Sequence, residues 1–170
     1  MKRIFAGLAI FNILLFLIVI ALGFGVLLDR PRYFTIHFLC GLFTTLYSTF
    51  VQSLVFIYFL GTGKWIKDAV AGRPGEAPIV ARAKKLKAMS FGVATYSALL
   101  IVAAAILGAA ADVGFVPGWV HGLTSVSAIA LNVYSYFPES KAIGMNLQLL
   151  DDAEAVAAMP PHPGPLPLKG

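Results

Sequence analysis

The stretch from Ile4 to Leu28 reads IFAGLAIFNILLFLIVIALGFGVLL, 25 residues with no charge and one amide, Asn12. Crossing a hydrocarbon core about 30 Å thick takes roughly 20 apolar residues in a helix rising 1.5 Å per residue. Lipid offers the backbone no hydrogen-bond partners, so a stretch this long is expected to be an α-helix despite its many β-branched and aromatic residues. It follows the basic start Met1-Lys2-Arg3. Its apolar run is nevertheless too long for the 7–15-residue centre of a cleaved signal peptide, and no small-x-small pattern precedes Asp29. A retained anchor is therefore expected.

Three further charge-free stretches lie outward from this one: His37 to Gly61, Ala88 to Ala111 and Trp119 to Phe137. The expected fold class is all-α, a polytopic membrane protein built as a four-transmembrane-helix bundle. Its spans fall at about 4–28, 37–61, 88–111 and 119–137, within a membrane domain of residues 1–138. The 170 residues are 59% hydrophobic and 12% charged, against about 25% charged in soluble domains. This excludes a soluble enzyme, a free nucleic-acid-binding domain and a disordered chain. All ten prolines fall outside the spans, so no kink is expected.

Lysine and arginine placement predicts orientation. Lys2 and Arg3, then Lys64, Lys67, Arg73, Arg82, Lys84, Lys85 and Lys87, then Lys141 and Lys169 fall on one side, against Arg30 and Arg32 on the other. The expectation is a multi-pass protein of the cell inner (plasma) membrane with both termini cytoplasmic. The net charge of +5 is then a topology signal beside anionic lipid. The expected partners are the lipid bilayer and either other membrane subunits or further copies of the chain, with no nucleic acid.

Trp65, between Lys64 and Lys67, and Trp119 at the start of the fourth span read as interfacial anchors. Asp29 to Phe34 is expected to be a short outer loop stopped by Pro31, and Gly72 to Pro78 a turn-rich break. Past Pro138, residues 139–159 read as a cytoplasmic amphipathic helix with Ile143, Leu147, Leu150, Ala153 and Ala157 on its apolar face. It is expected to pack on the basic inner loop or on a partner. Residues 160–170, with five prolines, read as a disordered tail in which His162 has no role.

Apolar spans have no hydrophobic drive to associate, so small residues and interhelical hydrogen bonds decide which faces meet. The third span carries the pairs Ala94–Ala98, Ala104–Gly108 and Ala105–Ala109 and is expected to be the closely packed, central helix. The second carries His37, Gly41, Thr44, Thr45, Ser48 and Gln52 at helical spacing, and the fourth carries His121, Ser125, Ala128, Asn132 and Ser135. Such stripes turn away from lipid. Counted from the inner ends, Asn12 and Gln52 lie roughly 12–13 Å deep and Asn132 roughly 8 Å. This predicts a polar layer of Asn12, Gln52, Tyr96 or Ser97, and Asn132. Amides in such a layer hold helices together at about 0.6–2 kcal/mol each, and that role is preferred here to transport.

His37 and His121 each fall in the first outer turn of their span. If those spans are neighbours, the pair is a candidate site for a metal or the iron of haem b, with Gly41 and Gly122 leaving room and Phe38, Phe43 and Tyr47 forming a wall. An interfacial or hydrogen-bonded histidine is the plainer reading. Cys40 is the only cysteine, so no intramolecular disulfide forms. No charge lies within a span, which argues against an ion pump. Gly61-Thr62-Gly63-Lys64 lacks the phosphate-loop spacing. The expected function is that of a non-catalytic structural or accessory membrane protein. The alternatives are a haem- or metal-binding anchor and a small-solute channel or carrier.

Overall fold

Asp29 alone joins the first two helices. Its carboxylate accepts the Arg32 N–H at 3.3 Å, and Pro31 occupies the first turn, where a missing N–H leaves no bond unmade. The expected loop at Asp29–Phe34 is thus a one-residue corner, because the same proline that cannot continue a helix can begin one. The computed structural model describes residues 1–160 and shows four helices: α1 (Lys2–Leu28), α2 (Arg30–Ala69), α3 (Glu76–Asp112) and α4 (Gly118–Ala157), with no strand among those residues. The proline-rich tail from residue 161 on, with His162, lies outside the described residues.

The turn between α2 and α3 needs Gly72 and Gly75, both at positive φ (68° and 90°). The Gly72 N–H donates to Glu76 Oε2 at 2.7 Å, tying the turn to the start of α3. Pro78 falls in that helix's first turn, where it is tolerated.

The chain is an all-helical bundle, and α1, α2 and α3 are long and apolar enough to cross a membrane. No window of α4 reaches the same hydropathy, because His121, Thr124, Ser125, Ser127, Asn132 and Ser135 lie within its apolar stretch. Helix α3 packs extensively along α2 and α4, as expected of the closely packed helix, and meets α1 only through the cluster of Phe16, Ile101, Ala104 and Ala128. Its buried stripe is Ile79, Ala83, Leu86, Ser90, Ala94, Ser97, Ile101 and Ala104 at three- and four-residue steps, one face of a 3.6-residue helix.

Two expectations fail at Pro138. It lies inside α4, which runs unbroken to Ala157. The proline removes one N–H, the donor for the Tyr134 carbonyl, but packing of the flanking turns on α2 and α3 keeps the axis continuous. The helical register of the fourth span therefore carries into residues 139–157. The buried residues there are Glu139, Ala142, Ile143, Asn146, Leu149 and Ala153, while Leu147 is turned outward. Of the expected apolar face, Ile143 and Ala153 are in the core and Leu150 packs against it, facing the end of α2 and the start of α3.

Helices of 40 residues are about 60 Å long, twice the thickness of a hydrocarbon core. At one end, the extended end, α2, α3 and α4 outrun α1. There Ile66, Val70, Ile79, Ala83, Leu86, Ile143, Leu149 and Ala153 form an aliphatic core, and Arg82 pairs with Asp152 at 2.7 Å on the outside. At the opposite, histidine end, Arg30 pairs with Asp112.

Candidate functional site

The polar residues of the four helices meet in a layer about mid-length. The Asn12 amide donates to the Tyr136 hydroxyl, and its carbonyl accepts from Ser48 Oγ at 3.0 Å. Gln52 Nε2 donates to Ser135 Oγ at 2.9 Å and to Asn132 Oδ1 at 3.3 Å. Asn132 Nδ2 donates to the carbonyls of Ser97 and of Ala128, each at 3.1 Å, and the Ser97 hydroxyl reaches the Leu131 carbonyl at 3.4 Å. The layer therefore ties α1 to α2 and α4, α2 to α4, and α4 to α3. Asn12, Gln52, Ser97 and Asn132 are fully buried, whereas Tyr96, one residue along and 100° around the helix, is 69% exposed and takes no part. Ser48, Ser135 and Tyr136 complete the layer.

Sequence reasoning missed Tyr136 and, more consequentially, Glu139. Glu139 is fully buried, and neither carboxylate oxygen has a hydrogen-bond partner. It lies seven residues past Asn132 and four past Ser135, on the same stripe, two residues beyond the apolar stretch that ends at Phe137. The opposing antiparallel helix brings Ser90, seven residues before Ser97, to the same level. The Ser90 hydroxyl is also buried without a partner, as is Gln52 Oε1. Burial pushes the Glu139 carboxyl up to about 8. A neutral carboxyl brings one donor into a neighbourhood whose unpartnered groups are mostly acceptors. The three-and-four spacing from His121 through Ser135 to Glu139 and Asn146 was visible in the sequence. The domain boundary placed at residue 138 separates Glu139 from that stripe.

The histidine end is built differently. The rings of His37 and His121 meet edge to face with centroids 6.4 Å apart. Each lies against a glycine of a neighbouring helix: a Cβ on Gly23 would come within 3.3 Å of His37, and one on Gly108 within 2.9 Å of His121. His121 Nδ1 lies 3.0 Å from the Ala104 carbonyl. A carbonyl can only accept, so Nδ1 carries the hydrogen and Nε2 keeps its lone pair. His37 Nδ1 is buried without a partner.

Space is open beside Gly41 and Gly122, as expected, but the expected wall is not formed: Phe38 and Phe43 point outward, and Tyr47 stacks beside Phe43 with its hydroxyl on the Leu8 carbonyl. Sequence spacing ranked these residues by nearness along one helix, whereas the contacts come from α1 and α3. Trp65 is 43% exposed and Trp119 70% exposed, both on the outer surface. Comparison with protein-family models, curated proteins and solved structures finds no match to this chain.

Proposed function

We propose that this is a non-catalytic membrane protein, a structural or accessory subunit that crosses a plasma-type membrane four times, with both termini and the extended end in the cytoplasm. The observation that carries the reading is the use of Asn12, Gln52 and Asn132. Their amides are fully buried and bonded to other helices. Groups that line a solute path must exchange partners with the solute, whereas these fasten helices. The fourth crossing is assigned to α4 because Asn132 and Ser135 are bonded inward, the Thr124 and Ser127 hydroxyls are bonded to their own helix, and its outward residues include Leu123, Val126, Tyr134 and Phe137.

The test combines terminal reporter fusions with mild purification from the native membrane. Cytoplasmic reporters at both ends and a stoichiometric partner, or a defined homo-oligomer, are the expected results. An exported terminus would overturn the topology. Solute flux in proteoliposomes that is lost in Gln52→Leu would overturn the structural role in favour of a carrier.

The 6.4 Å approach of His37 and His121 favours a second reading, a metal ion held between two imidazoles. An ion suits the pair better than haem b, because α1 and α3 close on the rings at Gly23 and Gly108. Neutral imidazole is the ligand form, so binding would weaken at low pH. Metal analysis and an absorption spectrum decide it. Bound metal that His37→Ala and His121→Ala each abolish supports the ion, a Soret band supports haem, and a colourless, metal-free preparation removes both.

A further inference from the structure

Helix α1 leans mainly on α2, and α4 mainly on α3, leaving a groove of about 550 Å³ between α1 and α4. Its walls change character along its length. At the mouth stand Lys2 of α1 with Ser140 and Lys141 of α4, and deeper in the walls are apolar, with Ala6, Ile13 and Phe137 among them. The Lys2 ammonium reaches across to α4, 4.0 Å from where a Cβ on Gly144 would lie. Two cations from different helices therefore flank one opening. Neither has an acidic partner among the described residues, where the ion pairs are Arg30–Asp112 and Arg82–Asp152. Glu139, the acid nearest Lys141 in sequence, is buried.

The dimensions single out an occupant. From Lys2 to Ile13 is eleven residues, roughly 16 Å of helix, about half of a 30 Å hydrocarbon core and so the depth of one leaflet. A paired cationic mouth above an apolar trough one leaflet deep complements an anionic head on an acyl chain, and basic pockets between helices on the cytoplasmic side suit such headgroups. We propose that this groove binds an anionic phospholipid of the cytoplasmic leaflet, its phosphate between Lys2 and Lys141 and one acyl chain along α1 and α4. The site rests on the membrane reading above, with the extended end cytoplasmic.

The test is native mass spectrometry of the full chain in detergent, titrated with phosphatidylglycerol, with phosphatidylcholine of the same acyl chains, and with inorganic phosphate. The expected result is one phosphatidylglycerol per chain, retained at energies that strip phosphatidylcholine. Its apparent affinity should fall at least tenfold in Lys2→Ala/Lys141→Ala and stay unchanged in Lys84→Ala/Lys85→Ala. Ala6→Leu, which fills the trough and keeps both lysines, should also weaken it. Equal retention of the two lipids, an unchanged double variant, or displacement by phosphate at concentrations matching the lipid would overturn the proposal. Titration in detergent reports on the groove alone, whereas carbonate extraction of native membranes reports on insertion, so the two failures are distinguishable.

Discussion

From Asn12 to Asn132 the bundle buries amides and hydroxyls and turns Ile10, Leu46, Phe50, Leu99 and Ile106 outward. Around Ile66 and Leu149 it buries aliphatic side chains and turns Lys64, Lys67, Arg82, Lys84 and Asp151 outward. The same three helices contribute to both halves, so the reversal reflects the medium rather than the element. Where hydrocarbon surrounds the helices, apolar contact gains nothing over lipid, and polar bonds with close packing give cohesion. Where water surrounds them, removal of apolar surface is the driving force. Between the two halves, the Asn146 amide donates to the Tyr58 hydroxyl at 3.1 Å and to Thr62 Oγ1 at 3.0 Å.

The comparison breaks most visibly at the extended end. Leu149→Asp places an unpaired charge in an aliphatic core, with an expected loss above about 4 kcal/mol. The extended end should become protease-sensitive while the detergent-embedded helices keep their circular dichroism; equal resistance to the parent would break the picture of an aliphatic core there.

Next comes Glu139, at the border. Its folded value is raised from the ordinary 4.5 to about 8, so the folded state holds a proton that the unfolded chain has released between those limits. Stability is then greatest below about pH 4.5 and falls as pH rises towards 8, by at most about 1.4 kcal/mol per unit. Glu139→Gln should flatten that slope and melt higher than the parent at pH 8, as read by thermal unfolding in detergent across pH. Parallel profiles would refute a buried, protonated carboxyl.

A smaller effect is expected within the polar layer. Gln52→Leu removes two bonds to α4 and leaves Asn132 Oδ1 without its donor, with an expected loss of about 1–2 kcal/mol. Thermal unfolding should show a fall of several degrees. The smallest belongs to the charged exterior: Arg82→Ala opens an exposed pair worth about 0.2–1 kcal/mol. If its melting temperature dropped as far as that of Gln52→Leu, the outer charges of the extended end would matter as much as the buried amides.

The helical bundle was legible because charge-free runs of 19 to 25 residues have few other solutions in a chain this apolar. The level shared by Asn12, Gln52 and Asn132 was legible too, since depth is residue count multiplied by a fixed rise. Rotation was harder to read. Tyr96 and Ser97 differ by one residue in depth but by 100° in direction, and only packing against Leu131 and Asn132 chooses Ser97. Pro138 misled because its local preference for ending a helix was overridden by contacts on both sides. The boundary set there hid Glu139 and left Asn146 and Leu149 off the buried face assigned within residues 139–159. The glycines that admit the imidazoles, Gly23 and Gly108, belong to other helices than the histidines; the Ala104–Gly108 spacing marks a close-packing face, but only the neighbouring helix decides that His121 fills it.

The single-residue corner at Asp29 has a mechanical corollary. With no slack between Leu28 and Arg30, α1 and α2 cannot slide along one another without unwinding a turn, so they behave as one stiff hairpin. Any large rearrangement is thereby channelled to the seams that hairpin shares with the other two helices, and the looser of them is the cleft beside Lys2 and Lys141.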